Sequence, residues 1–217
     1  MSAPSASWVA EHTFLETLAD GEAVTVRPIL PDDKQALRAG MAALSRESRR
    51  FRFFSAVEQL TEQQLAYFTE IDYDDHFAWV AIAGDPASRA ARGIGVARYI
   101  RDRTDPQSSE WAIVVIDEYQ RRGVGTVLLR HLARSARTHG IRHFLATVLA
   151  ENDPMLDVAR GLGGRTRFIG DGLVEVDVEL PPADVDLRST AAYRMFRGAV
   201  TQRGRAHDGP TDGSRGV

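Results

Sequence analysis

From Phe14 to Leu30 the chain alternates apolar and polar positions around Asp20-Gly21, the pattern of two strands joined by a tight turn. Pro31, Asp32 and Asp33 then open a segment in which Leu37, Met41 and Leu44 recur at helical spacing, which predicts a helix over 31–45. A second helical region is expected over roughly 46–71, where Thr61 and Gln64 are spaced as a capping box. Three strand-like segments follow, 77–84, 92–101 and 110–116, separated by stretches rich in turn formers. They predict an antiparallel meander.

The pattern then changes to a helix over about 123–139, whose apolar stripe is Val124, Leu128, Leu132 and Ala136 and whose stop is Gly140. The segment 143–150 is nearly all apolar, as a strand buried on both faces should be. Strand, helix and buried strand in succession predict a βαβ unit with parallel strands. A short helix with Asp153 as its cap and Pro154 in its first turn comes next, and a hairpin around Asp171-Gly172 closes the fold. Residues 1–13 show no periodicity and read as a flexible arm. Residues 14–180 read as one domain. Beyond Pro181-Pro182 lies an extension, with a possible helix over 184–198 and then a tail of disordered composition.

Composition narrows the chemistry. The 217 residues contain no cysteine, which excludes disulfides, cysteine-rich zinc sites and a cysteine nucleophile. The net charge of −3 argues against a dedicated nucleic-acid binder. No apolar run approaches bilayer length and the N-terminus lacks a signal pattern, so no membrane partner is expected and a cytoplasmic location is. His139 and His143 are four residues apart but straddle Gly140, so no metal site is expected. Lys34 is the sole lysine among 27 cationic residues, a bias that reads as genomic.

The segment with the most chemical content is "EYQRRGVGTVLL", Glu118–Leu129, between a strand and a helix. Glycines there expose the helix's first N–H groups and the positive end of its dipole, an anion site most often used for phosphate. Arg121 and Arg122 add cations that match phosphate oxygens. No Lys-Ser or Lys-Thr follows the glycines, as a P-loop requires, and the third glycine of a dinucleotide-binding turn is missing. Taken alone, the loop reads equally as a tight turn with solvated arginines.

The order of elements around this turn, together with "VVIDEYQRRGVGTVLLRHLARSARTHG" and "ATVLAENDPMLDVARGLGG", resembles the GNAT superfamily of acyl-CoA-dependent N-acyltransferases. "VTVRPILPDDKQAL", "LSRESRRFRFFSAVEQLT", "YDDHFAWVAI" and "SEWAIVVIDEYQRRGVG" are similar to the acetyltransferase domains of bacterial Pat-type protein lysine acetyltransferases. The resemblance spans about residues 14–180. It implies an α+β fold: a mixed, largely antiparallel sheet with a splayed parallel strand pair, around Val115 and Ala146, and flanking helices. By motif position, the backbone of Ile113, Val114 and Val115 would take the pantetheine of acetyl-CoA as an added strand. Arg121, Arg122, Gly123, Val124, Gly125 and Thr126 would take its pyrophosphate. Asn152 stands where the family often contacts the coenzyme, and reads equally as a turn or cap residue. Pat-type relatives are often fused to a sensory domain; with about a dozen residues before the fold, none is expected here.

An amine attacks a thioester only as the free base, and a lysine has a pKa of about 10.4, so a proton acceptor is needed. Glu110 matches the Pat-type base position. The tyrosine that many relatives use to protonate the departing thiolate corresponds to Ala159, which leaves the general acid unassigned. The expected acceptor is a protein lysine; a small amine such as an amino acid, polyamine or antibiotic is the alternative, and a non-catalytic acyl-CoA-binding module a third reading. His76 reads more simply as the start of a strand, and Phe51, Phe53 and Phe54 as core. The arginines at 46, 49, 50 and 52 read either as a solvated helix face or as an attractor for an acidic protein.

Overall fold

The computed structural model describes residues 4–55, 57–88 and 90–181. The segments assigned above to a C-terminal helix and tail lie outside the described residues. Eight strands form one sheet in the order β1-β2-β3-β4-β5-β6-β8-β7. They are β1 (Phe14–Thr17), β2 (Ala23–Pro28), β3 (His76–Ala83), β4 (Arg92–Arg101), β5 (Ser108–Val115), β6 (His143–Leu149), β7 (Arg165–Gly170) and β8 (Leu173–Glu179). Every pairing is antiparallel except β5 with β6, whose strands run parallel as the intervening helix requires.

That crossover helix, α5 (Val124–Thr138), packs on β3, β4 and β5. Its stripe of Val124, Leu128, Leu132 and Ala136 is buried, and Leu128 and Leu132 are inaccessible to solvent. Each such leucine contributes about 1.5–3 kcal/mol through burial. The same face of the sheet carries Phe77, Trp79, Tyr99 and Trp111, whose rings run on into Phe144 of β6. The Trp79 indole N–H donates to Ser135 Oγ of α5 at 3.0 Å, which satisfies the one polar atom of that ring.

The opposite face carries Ala78, Val80, Ile82 and Val96, and is covered by α2 (Lys34–Ala42), α3 (Arg46–Phe53) and α4 (Glu62–Thr69). The expected helix over 46–71 is therefore two helices. The first ends where Phe54 takes a left-handed conformation, φ 56°, and the second begins at the capping box of Thr61 and Gln64. Phe54 is consequently exposed rather than core, whereas Phe53 packs inward.

The N-terminal residues also depart from expectation. Residues 6–11 form a helix, α1 (Ala6–Glu11), capped by Ser5 Oγ accepting from the Trp8 N–H. Trp8 stacks on His12 at 4.2 Å and leans on Tyr73 and Phe77, so one aromatic anchors the segment despite its lack of periodicity.

The last helix, α6 (Asp153–Gly161), closes onto β7 and β8 through Gly163 and Gly164. A Cβ at Gly164 would stand 2.8 Å from Val178 Cγ2 and 2.9 Å from the carbonyl oxygen of Ala159. Backbone cannot yield there as a side chain can. Gly164→Ala is expected to destabilise the fold by about 1–3 kcal/mol. A thermal melt several degrees below wild type would bear this out; an unchanged melt would show that the α6–β7 junction has slack.

Candidate acyl-CoA site

β5 and β6 hold together only at their beginnings. The parallel register runs Ser108↔His143, Ser109↔Phe144 and Glu110↔Leu145, and stops there. β5 continues to Val115 paired with β4 on one side, and β6 continues to Leu149 paired with β8 on its other side. Between them a wedge opens, bordered by the β5 backbone from Trp111 to Val115. Two strands that part leave hydrogen-bonding groups facing a gap, which an extended chain can fill as an added strand. Ile113, Val114 and Val115 all lie on this border and are half-buried. One group there already has a partner: the Val115 carbonyl accepts from Gln120 Nε2 at 3.1 Å.

The wide end of the wedge meets the turn before α5. Gly123 occupies the N-cap with φ 97°, a left-handed conformation that favours glycine, and no side chain caps the helix. The first N–H groups of α5 therefore rely on solvent or a ligand. Arg121 is also left-handed, at φ 60°, and its exposed side chain has no ion pair or hydrogen bond among the described residues. Gly125 is free of any structural demand for glycine. A Cβ there would meet only Ile113 Cδ1, at an ordinary 3.5 Å. Val124 is buried and fixes the helix to the sheet, and Thr126 sits half-buried in the first turn.

Arg122 differs from its neighbour. It pairs with Asp20 and Glu22 of the β1–β2 turn and lies over the Tyr119 ring at 4.3 Å. The hydrogen bonds it donates to Asp20, then Glu22, raise its pKa above the ordinary arginine value. Its carbonyl accepts from the Ala19 N–H at 3.2 Å, so the residue staples the turn to the hairpin. Asp117 fixes the other side of the turn, accepting from the Ser45 N–H at 2.9 Å and from Ser48 Oγ at 3.0 Å. These bonds tether the start of α3, whose cap is Ser45 Oγ accepting from the Ser48 N–H, and hold it against β5.

Asn152 has an assigned structural task. Its Oδ1 accepts from the Met155 N–H at 3.2 Å, so Asn152, not Asp153, is the N-cap of α6. It is buried, 8% exposed, at the end of β6.

Glu110 stands at the last paired position before the strands part, with its side chain exposed. It is close enough to Arg52 of α3 to oppose the lowering of that guanidinium's pKa, which burial causes. Arg52 is thus not part of a solvated face, unlike Arg50, which pairs with Glu151. Glu118 lies outside the wedge in an ion pair with Arg92. Ala159 is fully buried in α6 and offers no proton donor.

Residues 42–163 match the model of the acetyltransferase (GNAT) family. The chain belongs to the GNAT acetyltransferase family. It is 36% identical over 166 residues to acetyltransferase Pat of Mycolicibacterium smegmatis, covering 76% of this chain and 48% of that protein. The chain thus spans about half the length of that relative. The GNAT domain of S. lividans PAT superposes with a TM-score of 0.71 at 31% identity, covering 82% of this chain and 99% of that one. YncA of Salmonella typhimurium, solved with its cofactor acetyl-CoA, shares the fold at 17% identity and a TM-score of 0.58, covering 75% of this chain and 97% of that one. Among the described residues no helix is long and apolar enough to cross a membrane, and no cluster of three or more His, Asp or Glu could hold a metal.

The two arginines of the turn should separate on mutation. Arg121→Gln is expected to raise KM for acetyl-CoA several-fold to about tenfold, the value of a charge-assisted contact to phosphate. Arg122→Gln should act mainly on the melting temperature, since its guanidinium already serves Asp20 and Glu22. The reverse assignment, found by measuring both quantities for both variants, would show that Arg122 leaves its carboxylates when coenzyme binds.

Proposed function

We propose that the chain binds acetyl-CoA in the β5–β6 wedge and transfers the acetyl group directly to an amine, with Glu110 as general base. The pantetheine lies along Ile113–Val115 as an added strand. The diphosphate meets the uncapped start of α5 and Arg121. The reading rests on one observation above others: Glu110 occupies the position where the parallel strands part, at the narrow end of the wedge. From Glu110 to Val115 is about 16 Å along an extended strand, so a base and a diphosphate site can share one ligand. Asn152 Oδ1 already caps α6, which leaves its Nδ2 to donate to the coenzyme.

The chemistry is a nucleophilic substitution at a thioester. The neutral amine attacks the carbonyl carbon and the C–S bond breaks. The amine proton passes to Glu110, directly or through water, and CoA departs as its thiolate. Without cysteine no thioester-linked acyl-enzyme can form, so acyl transfer takes place between two bound substrates. With Ala159 buried where many relatives carry a tyrosine, the thiolate takes its proton from solvent. A coenzyme thiol is acidic enough to leave without help.

For the acceptor, we propose the side chain of a lysine on a protein. The similarity to Pat and to the PAT GNAT domain supports this, as does the exposure of Glu110 at an open face.

Glu110→Gln is expected to lower kcat by roughly 10²–10⁴, the usual contribution of a positioned base. Raising the pH toward the acceptor's own pKa should recover much of the loss, because the amine then deprotonates unaided. The absence of protein thiols lets a thiol reagent report CoA release directly. A variant with wild-type rate at neutral pH and a good acceptor would remove Glu110 from the mechanism.

A further inference from the structure

The sheet face that carries Glu110 also carries a buried cation with no counter-ion. Arg98 of β4 is 5% exposed. Its Nη1 donates to the Phe68 carbonyl at 3.3 Å and to His76 Nε2 at 2.9 Å, and the guanidinium lies 4.5 Å from the Phe68 ring centroid. An arginine can only donate, so His76 is a neutral imidazole with its proton on Nδ1. No carboxylate stands within ion-pair distance of Arg98 among the described residues. A buried charge left without a counter-ion is costly, and the pKa directions record that cost. Burial, then the charge of Arg52, lowers Arg98 to about 9; burial, then Arg98, lowers His76 to about 4.

Arg98 borders an apolar cavity of about 240 Å³ between β2–β5 and helices α2–α4. Phe53, Phe68, Val96 and Val114 form part of its wall. The other charged groups on this cavity are Arg27 and Asp33, which form a bidentate pair with each other at 2.7 Å, and Arg52. Arg52, like Arg98, lacks an ion pair among the described residues. The cavity is therefore net positive and shaped for a few carbons; drug-sized ligands usually take roughly 300–1,000 Å³. It is also placed on the acceptor's side. Arg98 pairs in register with Ala112, two residues along β5 from Glu110. Cross-strand partners and residues two apart share a face, so Arg98 and Glu110 project together, about 7 Å apart along the strand.

We propose that Arg98, assisted by Arg52, anchors a carboxylate carried by the acceptor, so that the preferred acceptors hold an acidic group several atoms from the reacting amine. This rests on Glu110 as the base of the acetyl transfer proposed above. A lysine beside a glutamate or aspartate in a protein supplies that pair of groups, and so does a free amino acid with its own α-carboxylate. The uncompensated guanidinium distinguishes the cavity from a lysine tunnel, since a positive pocket repels an ammonium.

The test uses the full chain and matched acceptors: lysine peptides flanked by Glu or by isosteric Gln, and free lysine beside lysine amide. Kinetics would be measured for wild type, Arg98→Met and Arg98→Lys. Calorimetric titration with the Glu peptide would supply a readout that needs no turnover. Wild type should favour the acid of each productive pair. Arg98→Met should raise KM for that acid roughly 30-fold or more and bring the acid-to-amide ratio close to one. Arg98→Lys, which keeps the charge but not the fork, should lie between and serves if the Met variant does not fold. A preference confined to the peptide pair would assign the carboxylate to a protein, and one confined to the lysine pair to a small molecule. Arg98-dependent binding of the Glu peptide without any acetyl transfer would uphold the anion site while overturning the reading of Glu110. Equal KM for acid and amide in wild type would overturn the proposal, as would a preference that survives both variants. So would an Arg98-dependent preference for succinyl-CoA over acetyl-CoA, which would place the carboxylate on the donor.

Discussion

The molecule depends on a pairing that stops. Three register positions join β5 to β6, and beyond Glu110↔Leu145 each strand keeps only its outer neighbour. Exposed strand edges inside a sheet are costly because their N–H and C=O groups need partners. The fold keeps this one open by holding each strand from outside. β5 is fixed by seven partners on β4 and by α5, and β6 by seven on β8. The turn before α5 is fixed in its own right, by Arg122 to the first hairpin and by Asp117 to α3. With both sides rigid, the wedge persists without a ligand, which lowers the ordering cost of binding one.

The same anchors organise the side proposed for the acceptor. Asp117 tethers the N-terminus of α3, and α3 carries Arg52 toward Glu110. One carboxylate next to the glycine turn therefore positions a cation next to Glu110. The faces proposed for donor and acceptor share this hydrogen-bonded junction.

Much of this was legible in the sequence because it is local. Alternation located β1 and β2, helical spacing located α5, and the strand–glycine turn–helix order fixed the one parallel pair. The run His143–Leu149 is a strand as expected, but only Phe144, Ala146 and Val148 on one face are buried; the other face is partly covered and Thr147 is exposed. What escaped is contact between segments far apart in the chain. Trp8 docks an N-terminal helix that has no periodicity of its own. Arg122 looked equivalent to Arg121 until Asp20 and Glu22, about a hundred residues earlier, were seen beside it. Asn152 and Asp153 are both good caps, and only the backbone path chose between them. Arg98 is the instructive case. In "GVARYI" it occupies one alternate position of a strand otherwise apolar on both faces, a signal that sequence reading passes over as a surface residue. For Arg52 the sequence leaves open a solvated face or an attractor for an acidic protein, since helical periodicity cannot say what stands opposite.

In the function proposed above, the β5 edge from Trp111 to Val115 and the start of α5 together receive an acyl-CoA. Amide hydrogen exchange with and without acetyl-CoA addresses it directly, because an added strand protects the N–H groups it bonds. Protection should appear at Ile113–Val115 and at Gly123–Thr126, with β1 and β7 unaffected. Protection confined to the α2–α4 cavity, or absent from β5 while coenzyme is bound, would contradict it.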